Sequence, residues 1–218
     1  ISGLGHSRRS RRRAVGLAAQ AYAKAYGDPS VAMARIAEKN HRNALLNPLA
    51  HMRREVTFEF CNEVSEKNPL IAPPLRLTDC SLITDGAAAI VLTADSNAGS
   101  FRRSARFRSA EHVSDFLPMS RHDLLEFEGP RLAISRALAA AGVTIGDISF
   151  AEVHDCFTIA ELLSYEALGI APKGRGIEAL ASGAVYRGGT LPVNLAGGLK
   201  AKGHPVGATG VSMHALAY

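Results

Sequence analysis

Gly197-Gly198-Leu199-Lys200-Ala201-Lys202-Gly203-His204-Pro205-Val206-Gly207-Ala208-Thr209-Gly210 decides the reading of this chain. Five glycines and one histidine share these fourteen positions. Glycine allows positive φ and close approach of the backbone to a ligand. Pro205 fixes the chain just after His204. The stretch reads as a turn that presents an imidazole and bare N–H groups, with a helix beginning near Ala208. A flexible loop would have the same glycine content, so a second stretch has to carry part of the argument. Ile148 to Val153 reads as a short strand, His154-Asp155-Cys156-Phe157 follows, and Thr158 to Leu168 reads as a helix. A histidine and a cysteine two residues apart, at a strand-to-helix switch, lie where α/β folds place ligands.

The outer segments extend this order. Ala14–Tyr26 is an Ala-rich helix, and Gly27-Asp28-Pro29-Ser30 stops it and starts another from about Val31 to Asn40. Residues 50–75 are polar and irregular, ending in Pro73-Pro74. Thr84–Thr93 passes from small to β-branched residues and reads as a buried strand. Ala105–Ala110 is a candidate strand, Gly129–Ala141 a helix stopped by Gly142, and Gly169–Arg187 a glycine-rich loop. Leu191–Asn194 is a short extended piece, and Val206–Tyr218 opens a final helix. The alternation of strands and helices predicts an α/β fold, with a mixed, mostly parallel sheet and helices on both faces.

Bulk properties narrow the class. The chain has 218 residues, of which 47% are hydrophobic, enough for a sizeable core. No apolar run reaches the ~18 residues of a membrane span, and no signal-peptide pattern opens the sequence. The net charge is +5. Much of it comes from Arg8, Arg9, Arg11, Arg12 and Arg13. The run suits a solvated segment or an anionic cofactor; no aromatic residue within it supports base stacking, so no nucleic acid is expected. Cys61, Cys80 and Cys156 form no CxxC pair, so neither structural zinc nor a disulfide framework is expected, and a cytoplasmic setting fits.

Taken together, HDCF at 154–157 and GGLKAKGHPVGATG at 197–210 resemble the thiolase superfamily. The nearest branch is the sterol-carrier-protein-2 type, which includes lipid-transfer proteins and acetyl-CoA acetyltransferases. HDCF stands there in place of the NEAF of ordinary thiolases. TDGAAAIVL at 84–92 resembles the last strand of the first thiolase core domain, and Lys39-Asn40-His41 resembles a KNH segment of the branch. The resemblance implies an incomplete thiolase-like fold. Residues 1–75 would be a lid and loop region, 76–100 the last strand of the first core domain, and 101–218 the second core domain without its closing strands. Such a sheet would leave apolar surface and open backbone groups.

The resemblance also implies the chemistry. Thiolases make or break a carbon–carbon bond between acyl groups carried on coenzyme A. The step needs a thiolate nucleophile, a base for an α-proton and donors for the developing oxyanions. His204 would activate the nucleophilic cysteine, which has no counterpart in these residues, and would donate to an oxyanion. Cys156, its pKa lowered by a nearby histidine or helix start, would be the acid and base at the α-carbon. His154 would support the oxyanion hydrogen bonds, and Asp155 would orient neighbours or cap the following helix. Gly197 and Gly198 would admit the acyl-pantetheine arm, and His41 would line the coenzyme A site. Gly207 and Gly210 would allow close helix packing. Coenzyme A or acyl-CoA would be a substrate, with no permanently bound cofactor and no metal. The resemblance implies a homodimer or homotetramer and allows for a small partner protein. Two other functions stay open: a retro-aldolase acting on steroid side-chain CoA esters, and a non-catalytic subunit that binds acyl-CoA or lipid.

Overall fold

The computed structural model describes residues 2–114 and 123–218, with side chains from residue 12 onward. The side chains of Arg8, Arg9 and Arg11 therefore lie outside the described residues. The helices are α1 (Ser2–Tyr26), α2 (Ser30–Ala44), α3 (Phe58–Asn62), α4 (Glu128–Ala141), α5 (Thr158–Ala167), α6 (Gly176–Ala181) and α7 (Thr209–Ala217). Two short strands, β1 (Leu70–Ala72) and β2 (Leu75–Arg76), pair antiparallel. A turn of π-helix runs over Gly198–Lys202. Among the described residues no helix is long and apolar enough to cross a membrane.

α2 lies in the middle of the described structure, within the block 1–75 assigned to a lid. Its residues Val31, Arg35, Glu38 and Arg42 recur at helical spacing on one stripe, with Glu38 only half-buried and the other three exposed. Arg35 and Arg42 both pair with Glu38 along that stripe. Nearly all the remaining positions are buried, including Met33, Ile36, Lys39, Asn40 and His41. Met33 and Ile36 join Leu75, Ile159, Leu162, Tyr165 and Val193 in one apolar cluster. Each such side chain contributes about 1.5–3 kcal/mol on burial.

The molecule is mixed α/β with a small, incomplete sheet. The expected helices form, α2, α4, α5 and α7 close to their predicted bounds and α1 starting at Ser2 and not at Ala14, because a helix satisfies its own backbone groups. The expected strands do not. Thr84–Thr93, Ala105–Ala110 and Ile148–Val153 form no ladder among the described residues. Of a parallel sheet there remains, among these residues, one parallel bridge, Ala151 to Val193, where Ala151 N–H donates to Pro192 O and Asn194 N–H to Ala151 O. The reason is that a strand needs a neighbour for its N–H and C=O groups, and no described residue supplies a ladder to 84–93. There Val91 is 85% and Leu92 71% exposed. The supposed irregular block 50–75 contains α3, β1 and the start of β2, and the glycine-rich loop contains α6.

Candidate active site

Two loops meet. The HDCF turn leads into α5, whose first residue, Thr158, donates from its hydroxyl to Asp79 Oδ1 at 2.9 Å. The glycine-rich stretch leads through the π-turn to His204 and α7. They are joined at three levels.

At the base, Asp155 is buried and accepts from Leu199 N–H at 2.6 Å and Lys200 N–H at 3.2 Å. It thus caps the distant π-turn and not α5, the helix that the sequence suggested. Asn40 donates to Asp155 Oδ2 at 2.9 Å and to Glu161 Oε2 at 2.6 Å. Glu161 also accepts from Asn194 Nδ2 and from Tyr165 O–H. Lys39 Nζ lies 2.8 Å from Glu161 Oε1 and donates to Asn40 Oδ1 and Val193 O. A buried charge without such partners would cost several kcal/mol; here every member has them. Burial, and then the negative charge of Glu161, push the Asp155 carboxyl up to about 7.

In the middle runs Cys80–Thr84, a strap that touches both loops. Cys80 bridges Phe157, and Ser81 N–H donates to Cys156 O at 3.0 Å. Lys200 Nζ donates to Cys80 O at 2.7 Å, and His204 N–H donates to Thr84 Oγ1 at 2.8 Å. The sequence reading took part of this strap for the start of a strand. Its tethering role has no local signature.

At the top, the His154 and His204 rings meet edge-to-face with centroids 5.0 Å apart. His204 Nδ1 lies 2.8 Å from Thr209 Oγ1, and the Thr209 hydroxyl donates to Pro205 O. A hydroxyl has one proton to give. In the tautomer that donates from Nδ1 to Oγ1, Nε2 is the basic nitrogen of the neutral ring. Thr209, which sequence reasoning missed, therefore holds the His204 ring at Nδ1. His154 is exposed, and the protein packed around it, together with Lys202, lowers its pKa.

Cys156 is partly buried on the same turn. Its expected low pKa is corrected: burial, reinforced by Asp155, pushes the thiol up to about 11. The group beside it is a carboxyl and not a cation, and its ionised form opposes thiolate formation. Cys61 and Cys80 are buried and also pushed up to about 11.

The remaining expected site residues sit elsewhere. His41 is 1% exposed, its Nδ1 has no hydrogen-bond partner, and burial, with Lys200 and Arg54 nearby, lowers its pKa to about 3. It belongs to the packed stripe of α2 rather than to a ligand-lined surface. Gly197 and Gly198 have φ of +101° and +58°. A Cβ on Gly197 would lie 2.6 Å from Ala44 Cβ, and one on Gly198 2.2 Å from Asp155 Oδ2. These glycines admit protein, not a pantetheine arm. Gly207 and Gly210 have nothing within 4 Å of an added Cβ, so they are not close-packing positions. Cavities of about 430 and 310 Å3 lie beside Gly86, Ala87 and Pro205; neither is lined by His154 or Cys156. Among the described residues no group of three or more His, Cys, Asp or Glu side chains is placed to hold a metal ion.

This arrangement of loops can be set beside known proteins. A family profile described as "Thiolase C-terminal domain-like" matches residues 110–217. An acetyl-CoA acetyltransferase of Methanothermobacter thermautotrophicus is 38% identical over 87% of this chain and 49% of its own length. Sterol carrier protein 2 of Oryctolagus cuniculus is 33% identical over 90% of this chain and 37% of its own. The chain belongs to the thiolase superfamily. It resembles the C-terminal part of the sterol-carrier-protein-2-type thiolases, and it spans about half, or less, of the length of these curated relatives. The fold agrees: the solved "Ltp2-ChsH2(DUF35) aldolase" superposes with a TM-score of 0.76 at 24% identity, covering 91% of this chain and 53% of that one.

Proposed function

We propose that this thiolase-like chain provides the His–Cys half of an acyl-CoA C-acyltransferase site, which makes or cleaves 3-ketoacyl-CoA. One observation supports it most. The HDCF and GHP motifs, far apart in chain order, are held as one unit with the His154 and His204 imidazoles in contact.

In the cleavage direction, a nucleophilic thiolate attacks the 3-keto carbon. His204, held at Nδ1 by Thr209, would take that thiol's proton on Nε2, and His154 would donate to the oxyanion. The C2–C3 bond then breaks, and the electron pair passes to C2. Cys156 would give its proton there, a task suited to a thiol that stays protonated near neutral pH. Cys61 and Cys80, buried with raised pKa values, are unsuited to the nucleophile's task. The proposal takes that thiolate from outside residues 1–218.

The test is thiolysis of acetoacetyl-CoA by free CoA, on the protein expressed from its full coding sequence. Cys156→Ala and His204→Ala should each lower turnover by about 100- to 10,000-fold, the range for lost general acid–base groups. Full activity in Cys156→Ala would remove the proton-transfer assignment. Absence of turnover in the unaltered protein would favour the acyl-CoA-binding subunit.

A further inference from the structure

We propose that Asp155 is a positioning residue: its carboxylate locks the glycine-rich turn to the HDCF turn and so sets His154 and Cys156 against His204. Its effect on turnover rests on the thiolase reading; its effect on geometry does not.

Asp155 stands between His154 and Cys156 in the chain. Its two amide partners, Leu199 and Lys200, stand five and four residues before His204. A single side chain therefore ties the two candidate groups of one loop to the histidine of the other. A carboxylate only accepts hydrogen bonds, and three donors face this one: two backbone N–H groups and Asn40 Nδ2. The groups behind it are also fixed. Asn40 is held by Glu161 and Lys39, and Glu161 by Asn194 and Tyr165. Gly198 leaves the space that Asp155 Oδ2 fills, since any larger residue would put Cβ 2.2 Å from that oxygen. The lock has a socket on one turn and a key on the other.

A cap that only stabilised the π-turn would not need to lie between two reacting groups. The distinction is measurable. Asp155→Ala, Asp155→Asn and Gly198→Ala would be compared with the unaltered protein, expressed from its full coding sequence. Three quantities are read: amide hydrogen exchange at Leu199 and Lys200, the proton–proton contact between the His154 and His204 rings by NMR, and kcat and KM for thiolysis. Asp155→Ala should speed exchange of both amides by about tenfold, the loss of one charge-assisted hydrogen bond. The ring contact should vanish, and kcat should fall about 100-fold with KM little changed, as expected of a misplacement near 1 Å. Asp155→Asn keeps the shape and one acceptor, and should recover part of each effect.

Gly198→Ala alters none of the His154, Cys156 and His204 side chains themselves. It should reproduce the Asp155→Ala pattern, and with Asp155→Asn it decides the matter if Asp155→Ala fails to fold. Faster amide exchange with the ring contact and kcat intact would overturn the proposal. If the unaltered protein shows no thiolysis, the thiolase reading fails, and the ring contact alone decides this one.

Discussion

Residues 30–44 and 84–93 end in opposite states. The second is the more apolar, with six of ten residues hydrophobic against seven of fifteen. Yet 30–44 is the buried helix α2, while 84–93 lies unpaired with Val91 and Leu92 in solvent. Partners, not hydropathy, decide burial here. α2 closes its own backbone hydrogen bonds, and even its charged Lys39 is accepted inside because Glu161 faces it. The segment 84–93 has apolar side chains, but its backbone groups have no ladder to join among the described residues.

The sharpest way to break this comparison is to remove a partner inside the buried half. Lys39→Met leaves Glu161 as a buried carboxylate facing no cation. It should cost about 3–5 kcal/mol, read as a shift of the urea midpoint. Adding Glu161→Gln should return a large part of that loss. A Lys39→Met protein as stable as the original would show that the ion pair does not hold α2 in place.

Next come the two buried titratable groups, which pull in opposite directions with pH. Burial lowers His41 to about 3. The unfolded chain binds that proton below about 6.5. Stability from His41 is therefore lost as pH falls from about 6.5 toward 3. His41→Leu should flatten that slope in acid unfolding curves. Asp155 is raised to about 7, so between about 4 and 7 the folded state holds a proton that the unfolded chain has lost, and above that range it is the carboxylate. Its contribution is present below the unfolded value near 4 and is lost as pH rises through about 7. Asp155→Asn should remove that opposite slope. Slopes unchanged in both variants would mean that neither group is as dry as its surroundings indicate.

A smaller effect separates the three thiols. Burial pushes all of them up to about 11, but only Cys156 is partly exposed. Alkylation near neutral pH should be slow, should reach Cys156 first, and should quicken about tenfold per pH unit as the thiolate appears. Mass mapping of the alkylated protein checks the order; labelling of Cys61 or Cys80 first would place them nearer the surface.

The smallest effect is on the exposed side. Val91→Ser and Leu92→Ser should change stability by no more than about 0.5 kcal/mol, whereas Ile36→Ala in α2 should cost about 2–5 kcal/mol. A large loss from Val91→Ser would show that 84–93 is buried in solution, by a partner that the described residues do not include.

Much of this was legible in advance. Helix signals such as Gly27-Asp28-Pro29-Ser30 and the stop at Gly142 placed α2 and α4 within a few residues, because caps and breakers act locally. The Gly142 cap appears as a left-handed residue whose N–H bonds Ala139 O. HDCF and GHPVGATG pointed to the loops that meet. The strands were misjudged because a strand is defined by a neighbour that hydropathy does not name. His41 was misplaced for a related reason: the resemblance of Lys39-Asn40-His41 to a family segment implied a place lining the coenzyme A site, while its position on the packed face of α2 decided burial.

The sequence by itself therefore determined α2, α4, α5 and α7, the superfamily and the pair of loops that carry His154, Cys156 and His204. Those depend on local propensity and on motifs read in order along the chain. Only the tertiary structure decided that Asp155 caps the π-turn, that Thr209 holds the His204 ring, that Gly198 makes room for a carboxylate, and that the Cys156 thiol is raised rather than lowered. Each of these depends on which groups from distant parts of the chain face one another at hydrogen-bond distance, and that is settled by packing, not by order along the chain.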